Sequence, residues 1–398
     1  MNNLIFSNFS VTITVDMKSY FNKMLNFAVP KDLEPVIQDQ LEKTILRAIN
    51  GLEIALKKDI KPPSNTSKKL LYQEKYLTLY HYLPKSENIY SIPVVLVPPL
   101  MITTDIFDLV EGHSLANTLI ESGFNVYLVD FGKPDQDDAH LKIDDYVLNF
   151  LYRAVHMSKK HSNADHMTLL GYCLGGTFST IYASVSLDIK NDIKNVINIA
   201  GPIDLKHLSF FNLLFKPFKK EWFALADKFG GLPKELLTFI FKIADPVSHL
   251  RRPFHLINKA WDRDFLIKYQ ALGDFFNNFQ SLPATTFKQC FEIISSNDLV
   301  SGKLKLLDQN INLSNLQANY LAFGGSKDTF IPPDSVRAVQ KHISSKDFQY
   351  MEFPFGHLSI MGSERAKNTV WKTCVDWLKE RSGELKCNDA INGVVKST

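Results

Sequence analysis

The chain has 398 residues, enough for one large domain with insertions or for two smaller ones, and enough to bury a sizeable core. Lys+Arg 45 against Asp+Glu 42 leaves a formal charge of +3, which gives no positive field of the kind that grips a phosphate backbone, so no nucleic-acid partner is expected. With 45% hydrophobic and 22% charged residues the composition excludes a disordered chain.

The longest apolar run, 92–102, is broken by Pro93, Pro98 and Pro99 and falls short of the roughly 18 residues that cross a bilayer. The first residues carry no Lys or Arg ahead of their apolar positions and no small-residue cleavage site. A cytoplasmic protein without a membrane span is therefore expected. Cys173, Cys290, Cys374 and Cys387 show no CxxC spacing, which argues against a zinc site or a disulfide framework and leaves reactivity as a reason for at least one of them.

In chain order, residues 17–58 predict an N-terminal helical extension: Leu41, Ile45, Ile49, Leu52 and Leu56 recur at helical spacing, and Pro62-Pro63-Ser64-Asn65 breaks the pattern. Short strand-like runs follow at 77–82, 94–97, 125–130, 167–171, 196–201 and 318–324. Several are apolar on both faces and bounded by Gly or Pro, the pattern of buried parallel strands. Helix-length segments lie at 112–122, 143–161, 176–187, 335–342 and 364–381, and the alternation predicts an open α/β sheet with helices on both faces. It lapses over 207–300, where fifteen of the twenty-nine phenylalanines fall, so that segment is expected to be a helical, Phe-rich cap inserted into the sheet domain. The expected division is a helical extension over 1–69, a first part of the core over 70–206, the cap over 207–300, a second part of the core over 301–383 and a frayed tail over 384–398.

The sharpest local signal is Gly171-Tyr172-Cys173-Leu174-Gly175-Gly176, which closes one strand and opens a helix. This is a nucleophile elbow with Cys in place of Ser. Small residues at its shoulders let strand and helix backbones pass closely, and the helix N-terminus favours a thiolate. A thiol needs a base, and the base needs an acid to hold it. In this arrangement they follow in the order nucleophile, acid, histidine. Asp328, just past a strand, and His357, in a loop before the last helix, fit that order. Asp298, Asp334 and Asp347 are rival acids, with Asp334 read as a helix cap, and His342 is the rival base at a helix end. The oxyanion donors are expected from the N–H of Leu174 and, because Pro98 and Pro99 have none, from the N–H of Leu100 or just after it, most plausibly Met101. The adjacent Asp144 and Asp145 read as capping and first-turn charges, and no metal is expected.

On these residues the sequence resembles the polyhydroxyalkanoate synthases, in particular the class III catalytic subunit, over about 72–381. The resemblance is carried by Gly171-Tyr172-Cys173-Leu174-Gly175-Gly176, by 123–134 with 141–147, by Pro202-Ile203-Asp204, and by 231–237. It implies the α/β-hydrolase fold, Cys173 as the acyl-carrying nucleophile, His357 as base and Asp328 as the third member. It further implies a 3-hydroxyacyl-CoA substrate from which CoA leaves, a growing polyester product and no cofactor. A second non-catalytic subunit or a homodimer, and residence at a cytoplasmic polyester granule, complete the picture. Tyr172 and Phe275 are the expected substrate-side residues. The sequence departs from the family's pattern at Thr329, where a His usually follows the Asp, and at Phe275, where the cap usually carries a Trp. The alternatives to a synthase are a cysteine thioesterase or polyester depolymerase of the same fold, or a silent scaffold protein at the granule.

Overall fold

The structure, a computed structural model, describes residues 35–55, 66–185, 192–244, 256 and 258–387. The helix expected over 17–58 appears as α1 (Pro35–Ala55), and its remaining residues lie outside the described ones.

Eight strands form the main sheet: β1 (Lys68–Glu74), β2 (Leu77–Tyr82), β3 (Val94–Val97), β4 (Val126–Asp130), β5 (Met167–Tyr172), β6 (Ile193–Ile199), β7 (Asn319–Gly325) and β8 (Phe348–Phe353). Their spatial order is β1-β2-β4-β3-β5-β6-β7-β8. From β4 to β8 every pairing is parallel, whereas β1 pairs antiparallel with β2 and β2 antiparallel with β4. The sheet is thus mostly parallel, with an antiparallel edge; in β2 Leu77 and Leu79 are buried while Thr78 and Tyr80 are half-buried. In β3 all four residues are buried. Val95 and Val97 join the core on one face, with Phe178 and Tyr182 of α4 (Leu174–Ala183). Val94 and Leu96 join the core on the other, with Leu115 and Leu119 of α2 (Leu115–Glu121) and with Trp371 and Trp377 near the C-terminal end. Each such side chain, fully buried, contributes about 1.5–3 kcal/mol. This two-sided burial fixes the strand register, because a slip of one residue would exchange the two faces.

Two further expectations are adjusted. The tail expected from 384 begins with a short strand, Leu385–Cys387, paired with Asn88–Tyr90, and 388–398 lie outside the described residues. Asp334 does not cap its helix. Pro332 holds the cap position of Pro333–Arg337, and Asp334 sits in the first turn in an ion pair with Arg337 at 3.5 Å.

After β6 come the helices α5 (Ser209–Leu214), α6 (Lys219–Phe229), α7 (Lys234–Ala244), α8 (Arg263–Asn277) and α9 (Ala284–Ser296). Both ends of this insertion are tied together, since Asn297 donates from Nδ2 to Asp204 at 2.9 Å and accepts the Leu205 N–H at 2.8 Å. Asp144 and Asp145 serve in structure: Asp144 accepts from Gln289 Nε2 of α9 at 2.5 Å and from the Leu307 N–H at 2.6 Å, while Asp145 accepts the Lys142 N–H at 2.8 Å.

The chain divides into two compact units. Of the described residues, 35–55, 256 and 258–270 belong to one, in which Asn50 of α1 donates to the Ala260 carbonyl at 2.5 Å and Lys43 lies over the Trp261 ring at 4.8 Å. The described residues 66–185, 192–244 and 271–387 belong to the other, which contains the sheet and every residue of the site described next.

Candidate active site

The elbow is built by backbones that approach too closely for any side chain. A Cβ on Gly171 would collide with the Gly175 carbonyl, one on Gly175 with the Val97 carbonyl, and one on Gly176 with the Asn198 side chain. Between these glycines Cys173 adopts φ 53° and ψ −128°, a conformation that costs an L-residue of order 1–3 kcal/mol and persists only when its surroundings enforce it. Hydrogen bonds do so: the Cys173 N–H donates to the Ile199 carbonyl at 2.8 Å, and its own carbonyl accepts the Gly176 N–H at 2.9 Å. A buried polar network backs the turn. Asn198 accepts the Gly201 N–H at 2.8 Å and donates to the Gly201 carbonyl and to Tyr320 Oη, which also bonds Thr180 at 2.7 Å. The network is not legible in the sequence, because Tyr320, which joins Asn198 to Thr180, lies more than a hundred residues from both.

At the ends of β7 and β8 the acid and base meet. His357 Nδ1 lies 2.7 Å from Asp328 Oδ2, and Asp328 Oδ1 accepts the N–H groups of Phe330 at 3.0 Å and Ile331 at 2.7 Å. With Nδ1 so engaged, Nε2 is the ring nitrogen left to serve Cys173. Burial by itself would lower the His357 pKa. The negative charge of Asp328, then that of Cys173, and the hydrogen bonds to both outweigh it and hold His357 well above its ordinary value. The arrangement thus favours the protonated imidazole. The rival groups lie elsewhere: Asp347 pairs with Arg381 at 2.7 Å, and His342 closes a helical turn after Lys341.

Cys173, Leu174 and Met101 lie on the wall of one cavity of about 150 Å³. Leu174 is the first residue of α4, so its N–H has no acceptor within the helix. Met101 has φ 72°, and its carbonyl accepts the Gln280 N–H at 2.6 Å, which anchors the loop after β3. The rest of the wall is apolar and comes mainly from the insertion, including Phe211, Phe215, Leu237, Phe241, Phe287 and Phe291. Cys290 also lines it, with its thiol pushed up to about 12 by burial, which leaves it protonated and unreactive near neutrality.

The two expected substrate-side residues are placed outside this wall. Tyr172 is fully buried, stacks on the His357 ring at 5.4 Å and donates from Oη to the His357 carbonyl at 2.9 Å, so it positions the base. Phe275 is buried in the same hydrophobic cluster as Cys173. Residues facing opposite ways from one turn are not distinguished by proximity in sequence. Among the described residues no group of three or more His, Cys, Asp or Glu side chains could hold a metal ion, and no helix is long and apolar enough to cross a membrane.

This sheet order, with a nucleophile on the turn after β5 and an acid and histidine after β7 and β8, defines an α/β hydrolase. The alpha/beta hydrolase fold family matches residues 94–363, and the chain belongs to it. Within that fold the chain is similar to the poly(3-hydroxyalkanoate) polymerase subunit PhaC of Thiocystis violacea, 28% identical over 359 residues that cover 89% of this chain and 99% of that protein. The same subunit of Allochromatium vinosum is 28% identical, with 88% of this chain and 99% of that protein covered. That of Haloferax mediterranei is 29% identical over 80% of this chain, which spans 64% of its length. Among solved structures, a soluble variant of the Saccharomyces cerevisiae monoglyceride lipase shares the fold with a TM-score of 0.52, at 15% identity over 82% of this chain and 98% of that one.

Proposed function

We propose that this chain is the catalytic subunit of a polyhydroxyalkanoate synthase, which joins 3-hydroxyacyl groups from CoA thioesters into a polyester by way of an acyl group carried on Cys173. The observation that supports this reading most strongly is a Cys-centred elbow beside a buried His–Asp pair, opening onto an apolar cavity, in a chain similar over most of its length to polymerase subunits.

In the proposed cycle the Cys173 sulfur attacks the thioester carbonyl, and the negative charge on the carbonyl oxygen is met by the N–H groups of Leu174 and Met101. The carbon–sulfur bond to CoA breaks, and CoA leaves with a proton from His357. One thioester has replaced another of similar energy, so the acyl group stays activated. A hydroxyl of the next 3-hydroxyacyl unit then gives its proton to His357 Nε2 and attacks the Cys173 thioester. An ester forms and the cysteine is released as thiolate. Acylation removes the negative charge on Cys173, one of the causes that hold His357 up, so the imidazole becomes the better base when a base is needed. No cofactor enters the cycle, since CoA is a leaving group.

A second, non-catalytic subunit or a second copy of this chain, and a location at the surface of the polyester granule, belong to the same proposal and rest on the family resemblance. The test is to incubate the chain with 3-hydroxybutyryl-CoA, alone and with a candidate second subunit, and to follow CoA and acyl products. CoA release with the acyl groups retained as oligomer is expected. Stoichiometric free 3-hydroxybutyrate under both conditions would instead identify a thioesterase, and absence of CoA release under both would favour the scaffold.

A further inference from the structure

Phe330 touches the acid, the base and the insertion at once. Its N–H donates to Asp328 Oδ1 at 3.0 Å, so its backbone is tied to the acid. Its ring meets the His357 imidazole edge-on, with centroids 5.3 Å apart and planes at 68°. On the insertion it packs against Phe241 of α7 at 4.8 Å and Phe210 of α5 at 6.1 Å. It is only partly buried and lines the cavity that contains Cys173. Thr329, one residue earlier, is exposed, so the turn sends consecutive side chains to solvent and to the site.

From this geometry we infer that Phe330 is a positioning residue that decides which hydroxyl reaches His357, that of a growing ester or that of water. The inference rests on the acyl-transfer reading above. The Cys173 thioester has two fates that differ only in the attacking group. If an acyl-borne hydroxyl attacks, its proton passes to His357 Nε2, an ester C–O bond forms, the C–S bond breaks, and Cys173 leaves as thiolate beside the protonated imidazole. If water attacks, the same exchanges yield a free acid. A water held at Nε2 needs further hydrogen-bond partners to offset its transfer from bulk solvent, and a phenyl ring on the imidazole supplies none. An alcohol carried on an acyl chain brings its own apolar surface, whose burial against the same rings is favourable. The ring thus penalises the small nucleophile and not the tethered one. Because it is held by Phe210 and Phe241, a displacement of the insertion would uncover the imidazole.

The experiment measures the ratio of free acid to oligomer formed from 3-hydroxybutyryl-CoA by the full chain and three variants. In Phe330→Ala the ratio should rise about tenfold while CoA release persists, the effect of a modest change between two competing barriers. Phe330→Leu, which keeps an apolar cover, should lie between Phe330→Ala and wild type and provides the test if the alanine variant fails to fold. Phe239→Ala removes a ring of equal size from the exposed face of α7, outside the cavity wall, and should leave the ratio near wild type. The pH profile of acid formation by Phe330→Ala should follow the titration of His357, which a loosened fold alone would not produce. An unchanged ratio in both Phe330 variants, or an equal rise in Phe239→Ala, overturns the inference. A wild-type chain that makes only free acid overturns the acyl-transfer reading itself, a distinct result.

Discussion

The elbow and the insertion above it are specified by opposite means. At the elbow, glycines 171 and 175 against backbone carbonyls and Gly176 against the Asn198 side chain leave no room for one methyl group, and the strained Cys173 sits between them. In the insertion, Phe211, Phe215, Phe223, Phe287 and Phe291 contact one another through their rings at centroid distances of 5.0–6.3 Å, with tilted, stacked and edge-on pairs mixed. The first region depends on shape and the second on bulk. Chemistry that must place one sulfur atom is built on the former. A wall that must exclude water and accept an apolar chain is built on the latter.

The largest effect should come from the atom the elbow exists to present. Cys173→Ala should lower CoA release by roughly 10⁴-fold or more, because the remaining groups stabilise charge but cannot carry an acyl group. Steady-state assay of CoA thiol is the check, and retention of even a tenth of the activity would detach the elbow from the chemistry. Asp328→Asn, which keeps the size of the acid and removes its charge, should cost roughly 10²-fold or more in turnover. His357 should also titrate lower in that variant, since the charge of Asp328 is the first cause raising it. NMR of the imidazole tests the direction.

The contrast between shape and bulk is sharpened by paired substitutions. Gly175→Ala adds one carbon and should destabilise the fold by about 3 kcal/mol or more. Phe215→Leu, on the partly buried side of the cluster, should cost about 1 kcal/mol, because neighbouring rings can shift. Denaturant midpoints for the two variants measure this directly, and equal losses would erase the distinction. The protonated His357 adds a pH-dependent contribution. Its pKa is raised on folding, so the stabilisation is fully present below the unfolded value of about 6.5 and is lost as pH rises through the raised value. The smallest expected effect is that of Tyr172→Phe, which removes one buried hydrogen bond to the His357 carbonyl, worth about 1 kcal/mol, and loosens the base without removing it.

The same contrast explains what was legible in the sequence. The elbow could be read because its constraints are local: glycines at fixed offsets, after an apolar run and before a helix. Asp328 and His357 could be assigned because topology orders them along the chain, and the structure brings them to 2.7 Å. Strands β1 and β8 were missed because their half-buried, mixed patterns lack the continuous apolar run of the central strands. The antiparallel setting of β2 is not legible in its own residues, because it follows from the tight hairpin with β1, a strand whose mixed pattern hides it. Within the insertion, phenylalanine content pointed to an aromatic wall, but not to which rings face the cavity. Phe275 was expected there and packs with the core, whereas Phe330, outside the insertion, lines it. Tyr172 and Cys173 are neighbours whose side chains have separate tasks.

The central claim, that Cys173 carries the acyl group, is tested most directly by rapid acid quench of the chain during reaction with 3-hydroxybutyryl-CoA, followed by mass spectrometry of its cysteine peptides. The account requires a hydroxyacyl thioester on the Cys173 peptide, formed as quickly as CoA is released and absent from Cys173→Ala. Cys290 and Cys374, whose thiols burial pushes upward, should remain unmodified. CoA release without any adduct on Cys173, or an adduct that builds on Cys290 instead, would contradict it.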